Sequence, residues 1–152
     1  MTPGYLLDTN LLSATAPDRR AVPDPAKQAR AWIIAHQARL FLPAIAVAEI
    51  AAGIGEREAA GATRHAADLA AWLRLVLALY PDRVLGFDAR AALEARALSR
   101  AARQAGVVPG FADLTLACIA RAHGLVLATR NTRDFAPMGL ATLDPFSFDS
   151  CR

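Results

Sequence analysis

Tyr5-Leu6-Leu7-Asp8-Thr9-Asn10 begins as a strand and ends as a turn. Three apolar residues without polar alternation describe a strand buried on both faces. Asp, Thr and Asn then offer the backbone side-chain hydrogen bonds that stop it. Working outward, Leu40-Phe41-Leu42, Val84-Leu85-Gly86-Phe87 and Leu125-Val126-Leu127-Ala128 are further short apolar runs, and Ala141-Thr142-Leu143 is a short candidate edge strand. Helical patterns fill the spaces between them. A short helix starts at Leu11, and Ala16 to Pro25 is a loop carrying the charged cluster Asp18-Arg19-Arg20. Ala26 to Gln37 has helical spacing through Ala29, Ile33 and Ile34, with Trp32 beside them. Pro43 suits the first turn of a helix that carries Glu49. Glu56 to Tyr80 reads as a long helix interrupted near Gly61, with Leu69, Trp72, Leu73, Val76 and Leu79 on one face. Asp88 is placed to cap a helix that runs to Ala105 and ends at Gly106; another runs from Phe111 to His123 and stops at Gly124. Short apolar strands alternating with helices predict an α/β fold whose parallel sheet is covered on both faces.

At 152 residues the chain is most simply one domain, residues 1–152, able to build a core without disulfides. Its 55% hydrophobic content, much of it alanine, favours many helices over an all-β fold. The 17 basic and 14 acidic residues give 17 − 14 = +3, and only Lys27 is a lysine. That excess permits a nucleic-acid partner without establishing one. No apolar run reaches the roughly 18 to 20 residues that span a bilayer. Met1-Thr2-Pro3-Gly4 lacks the basic start of a signal peptide. Cys118 reads as a core residue and Cys151 as a loose terminal thiol, so the expected compartment is the cytoplasm. Trp32 and Trp72 read as packing residues, and His123 as favouring the negative end of its helix.

Four carboxylates stand out against this apolar background: Asp8, Glu49, Asp113 and Asp134. In a parallel sheet, ligands bind beyond the carboxyl ends of the strands. Asp8 ends the first strand, and Thr129-Arg130-Asn131 follows the fourth. Crossover helices run antiparallel to the strands, so their first turns, with Asp113 and Glu49, lie on that same edge. All four acids are expected to converge there. Ionised carboxylates brought together in low dielectric need a cation, and an all-oxygen donor set suits Mg²⁺, with Mn²⁺ as a substitute. Zinc is disfavoured, because His36, His65 and His123 share no ligand spacing. The reaction class implied is metal-dependent phosphodiester hydrolysis. Each acid taken singly has a plainer reading. Asp8 and Asp113 could be helix caps and Asp134 a turn residue. Glu49 resists most, since Ile45, Ala46, Ala52 and Gly53 offer it no charge partner. Thr129 and Asn131 could hold the attacking water or orient a carboxylate, and Asn131 could equally satisfy only its own turn. Asn10 has the same ambiguity. Arg130 and Arg133 flank the site and could meet substrate phosphates.

Leu7-Asp8-Thr9-Asn10, Val47-Ala48-Glu49-Ile50-Ala51-Ala52-Gly53, Asp113-Leu114-Thr115-Leu116-Ala117 and Thr129-Arg130-Asn131-Thr132-Arg133-Asp134-Phe135 together resemble the PIN-domain family, and within it the VapC-type toxins of bacterial type II toxin–antitoxin pairs. Four short motifs in the right order cover nearly the whole chain. The resemblance implies a three-layer α/β/α domain with a mostly parallel sheet of four to five short strands. It also implies a Mg²⁺-dependent ribonuclease site. Asp8 and Asp113 would be the principal metal ligands, Glu49 and Asp134 would complete the quartet, and Thr129 and Asn131 would support water or metal. Expected partners are RNA, a second copy of the chain, and a cognate VapB-type antitoxin whose C-terminal segment covers the groove; DNA would be reached only through that antitoxin, and no membrane is involved. Pro109-Gly110-Phe111-Ala112 is bulkier and more apolar than the family pattern leads one to expect, which bears on the mouth of the groove.

Two other readings compete. Phosphatase or phosphotransfer domains of the haloacid-dehalogenase or response-regulator kind also place Asp after the first strand. The former want a second Asp where this chain has Asn10, and the latter an acidic pair before the first helix. The other is a PIN-like subunit that binds nucleic acid or a partner without cleaving, against which the intact acids argue.

Overall fold

The structure, a computed structural model, describes residues 2–17 and 21–147; the Asp18-Arg19-Arg20 cluster and Cys151 lie outside the described residues. Five strands, β1 (Tyr5–Leu7), β2 (Leu40–Pro43), β3 (Val84–Leu85), β4 (Val126–Ala128) and β5 (Thr142–Leu143), pair in the order β3-β2-β1-β4-β5. Every pairing is parallel. The chain builds outward from β1 to β2 and β3, then returns to the other side of β1 to lay down β4 and β5. Strand order therefore reverses between β1 and β4, the place where such sheets open a crevice.

Alternating side chains sort the sheet into two cores. Leu6 and Leu127 face a layer formed by α5 (Ala89–Leu93), α6 (Ala95–Gln104) and α7 (Phe111–Ala122), with Leu98, Ala117 and Ile119 fully buried against them. Leu7, Leu40, Leu42 and Ala128 face the other way, onto α1 (Thr9–Ser13) and α2 (Asp24–His36) through Leu11, Ala29 and Trp32. Fully burying one such leucine contributes about 1.5–3 kcal/mol. These are the three layers that the resemblance implied. Gly4, just before β1, permits this central position: a Cβ there would lie 2.9 Å from both Leu125 and Phe41.

The helices after β2 depart from the expected boundaries. Glu56 does not open a new helix but continues the one that carries Glu49, so α3 runs Ala44–Ala59 and α4 runs Thr63–Leu79. Gly53 and Gly55 are absorbed inside α3, whereas Gly61 takes φ +85° and makes the turn. The two helices bury Ile54, Ala66, Leu69 and Leu73 against each other in a third, smaller core. Leu79 is 69% exposed, because Tyr80 takes the buried position at the helix end; Ile34, one residue round from buried Ile33, is equally exposed. Asp88 caps its helix as expected, accepting from Ala91 N–H at 2.9 Å. That helix comes in two pieces, α5 and α6, with Glu94 between them paired to Arg121 of α7 at 3.2 Å. Cys118 is fully buried in the core. No helix among the described residues is long and apolar enough to cross a membrane.

Candidate active site

At the carboxyl ends of β1 and β4, two backbone turns place one acid and one hydroxyl against each other. Asp8 caps α1 through Oδ1, which accepts Leu11 N–H at 2.9 Å. Its other oxygen, Oδ2, accepts the Thr129 hydroxyl at 2.5 Å. Thr129 is fully buried, and its own oxygen accepts Asn131 N–H at 3.1 Å. The hydroxyl proton is thereby committed to Asp8. The helix cap and a cleft-lining acid are thus the same residue.

A cleft of about 480 Å³ opens above this pair, and Asp8, Glu49 and Asp113 all line it. Asn10 and Asn131 stand on its rim. None of the described lining residues is basic. Asp113 enters from the first turn of α7 and Glu49 from the second turn of α3, as strand and helix direction require. Glu49 is exposed, and its carboxylate accepts the Thr9 hydroxyl. Asp134 belongs to α8 (Thr132–Phe135); it is exposed and does not line the cleft, yet its charge bears on Asp113.

Electrostatics record this crowding. Burial pushes the Asp8 carboxyl above its ordinary range, and the charge of Glu49 adds to the rise; bonds from Thr129, Leu11 and Asn10 act against it without cancelling it. Asp113 is also raised, first by burial and then by the negative charges of Asp134, Asp8 and Glu49. All four acids therefore belong to one electrostatic neighbourhood, although Asp134 joins it only through its effect on Asp113. Among the described residues, no three acids, histidines or cysteines come close enough to ligate one ion as they stand. The carboxylates that line the cleft, supplemented by water, are the oxygen donors that Mg²⁺ commonly takes.

The remaining candidates divide. Asn131 makes no side-chain capping bond, so its amide is available to the cleft. Arg130 and Arg133 are exposed and do not line the cleft; the Arg130 guanidinium lies over the Phe146 ring at 5.3 Å. Phe111, from the bulky stretch before Asp113, is 73% exposed and meets the Phe87 ring at 6.2 Å. Sequence reasoning missed two cleft residues, Thr9 and Glu56. Glu56 could have been found from its seven-residue spacing to Glu49, two turns on the same helix face, had α3 not been ended too early. Thr9 lies inside the motif Leu7-Asp8-Thr9-Asn10, but its contact with Glu49 has no spacing signal, since it depends on how α1 and α3 meet.

A family model for the PIN domain matches residues 5–139. The chain is 34% identical over 147 residues to the Plasmid stability protein StbB of Pseudomonas syringae pv. tomato, covering 93% of this chain and 97% of that protein. It is 35% identical over 150 residues to the VapC ribonuclease Y4jK of Sinorhizobium fredii, covering 93% and 96%. Among solved structures it is similar to a chain of FitAB bound to an IR36 DNA fragment, with a TM-score of 0.79 and 25% identity over 97% of this chain and 99% of that one.

Proposed function

The chain belongs to the PIN-domain family, on its VapC-type toxin branch, and from that premise we propose that it is a Mg²⁺-dependent endoribonuclease, the toxin of a toxin–antitoxin pair. The observation that carries the reading is the meeting of Asp8, Glu49 and Asp113 in one cleft with no basic residue among its described lining, at the point where strand order reverses. Asp8 and Asp113 are the principal ligands, and Glu49 and Asp134 complete the negative field. A bound Mg²⁺, or Mn²⁺ in its place, supplies a water of lowered pKa and positive charge against the phosphate. Asp8 cannot swing away, because both its oxygens are held. Asp113, whose ionisation is opposed by burial and then by three neighbouring acids, gains from a cation beside it. Thr129 fixes Asp8 and, through Asn131 N–H, the turn that presents the Asn131 amide to the attacking water or the scissile phosphate. Asn10 offers a rim contact to substrate, and Arg130 and Arg133 meet phosphates only farther along the strand. Single-stranded RNA, whose backbone can follow an open cleft, is the substrate class, in keeping with the ribonuclease relative.

The proposed partners are a cognate VapB-type antitoxin and a second copy of the chain, with DNA reached only through the antitoxin; a DNA-bound FitAB structure is among the neighbours of this fold. Exposed Leu93, Val108 and Phe111 supply apolar area for contact with another chain. A monomeric mass in light scattering of the isolated chain would remove the homodimer.

The test of activity uses partner-free protein and defined RNAs. Cleavage is expected with Mg²⁺ or Mn²⁺, is expected to stop with a chelator, and should fall at least about a hundredfold in Asp8→Asn and Asp113→Asn, the loss associated with removing a charge-stabilising group. Cleavage that persists in both variants would falsify the site assignment. RNA retention without cleavage in any metal would select the non-cleaving binding subunit instead.

A further inference from the structure

Glu49 poses a positioning problem that Asp8 and Asp113 do not share. Asp8 is buried and held at both oxygens, and Asp113 is half-buried in a helix end. Glu49 is exposed, on a longer side chain, and its described hydrogen-bond partner is the Thr9 hydroxyl. A free glutamate in this setting populates many rotamers, and holding it in one costs side-chain entropy. Thr9 is well suited to hold it. It is the first residue of α1, so the cap made by Asp8 fixes its backbone, and its β-branched side chain is stiff about χ1. The same short turn therefore carries one acid of the site and the hydroxyl that aims another.

We propose that Thr9 is a positioning residue for the reaction: its hydroxyl holds Glu49 over the cleft beside Asp8 and Asp113, leaving the second Glu49 oxygen free for the cation. This rests on the metal-dependent reading above. Thr9 acts through Glu49, as groups that orient metal-site ligands do, and loss of such groups weakens metal affinity or activity by about 10- to 100-fold. Serine keeps the hydroxyl but loses the branch, so Thr9→Ser should sit within about threefold of the native protein. Valine keeps the shape and loses the donor, so Thr9→Val should show the full effect.

The experiment reads the metal and the side chain separately on the full chain. Mn²⁺ affinity is measured by electron paramagnetic resonance, and the rotamer averaging of Glu49 by NMR couplings in metal-free protein. Thr9→Val is expected to weaken Mn²⁺ binding at least tenfold, to lower kcat with KM for RNA unchanged, and to turn Glu49 from one rotamer to an average, while Thr9→Ser restores all three. Thr9→Val that binds Mn²⁺ like the native protein overturns the role of Thr9 and leaves the metal reading standing. A native protein in which Glu49 is already averaged overturns it as well. A native protein with Glu49 fixed in one rotamer but no Mn²⁺ binding at millimolar concentration overturns the metal reading, and the role of Thr9 in it.

Discussion

At the amino ends of the strands Tyr5, Trp32 and His36 pack ring against ring, whereas at the carboxyl ends Asp8, Glu49 and Asp113 face one cleft with no basic residue among its described lining. The same central strand opens with Tyr5 of one group and leads directly into Asp8 of the other, three residues on. At the amino end Trp32 stacks on His36 at 4.5 Å, Tyr5 meets Trp32 edge-on at 4.9 Å, and Arg39 lies over Tyr5 at 5.2 Å. Ring faces, ring edges and the Arg39 cation are matched there, although the buried Trp32 indole N–H has no described hydrogen-bond partner. At the carboxyl end like charges are left opposed. One end lowers the energy of the folded chain, and the other keeps it raised in a form that a cation can relieve.

That contrast is most easily broken at the packed end. Trp32 is 4% exposed, and Trp32→Ala should cost about 3–5 kcal/mol of unfolding free energy, the usual range for a buried tryptophan. RNA cleavage by the folded fraction should not change, because the cluster lies at the far end of the strands from the acids. Urea unfolding followed by circular dichroism reads the first quantity and an initial-rate assay the second. A loss under about 1 kcal/mol, or a parallel loss of cleavage, would show that the two ends are not separate in function.

The same contrast explains what the sequence disclosed and what it hid. Leu6 and Leu7 could be placed in advance, because a short run without alternation has two buried faces, and Asp8 followed because it ends that run. Asp113 was equally legible from its helix start. Asp134 was expected beside them, yet it stands outside the cleft and reaches Asp113 only through charge; no spacing rule distinguishes those two positions. Thr9 and Glu56 were hidden for different reasons. The phase of α3 depends on Gly53 and Gly55 remaining helical, which packing against α4 decides and local propensity opposes. The contact between Thr9 and Glu49 spans 40 residues of sequence and exists only once β1 and β2 have paired.

A smaller effect is expected where one polar bond softens the repulsion. Thr129→Val removes the donor to Asp8 Oδ2 while keeping the shape of a fully buried side chain. It also strips Asn131 N–H of its acceptor. Cleavage should fall about 10- to 100-fold through the loosened Asp8, and stability by about 1–2 kcal/mol. Thr129→Ser should recover most of both. If Thr129→Val loses stability but keeps its rate, Thr129 belongs with the packing of the amino end rather than with the acids.

The smallest effect concerns stability against pH, and its sign separates the two ends most directly. The Asp113 carboxyl is raised above its ordinary value of 3.8 by burial and by Asp134, Asp8 and Glu49. A carboxyl raised on folding adds stability that is complete below the unfolded value and is lost as pH rises through the folded one. At neutral pH the ionised group therefore opposes folding. Asn mimics the protonated form, so Asp113→Asn should match the native protein near pH 4 and become the more stable of the two as pH rises to 7.5. Millimolar Mg²⁺ should narrow that gap at pH 7.5 by stabilising only the native protein, because a ligand that binds the folded chain shifts unfolding in proportion to its occupancy. Urea titrations at the two pH values, with and without Mg²⁺, supply the four numbers needed. An Asp113→Asn variant less stable than the native protein at pH 7.5 without metal would mean that the acids are already compensated, and the carboxyl end would then resemble the amino end after all.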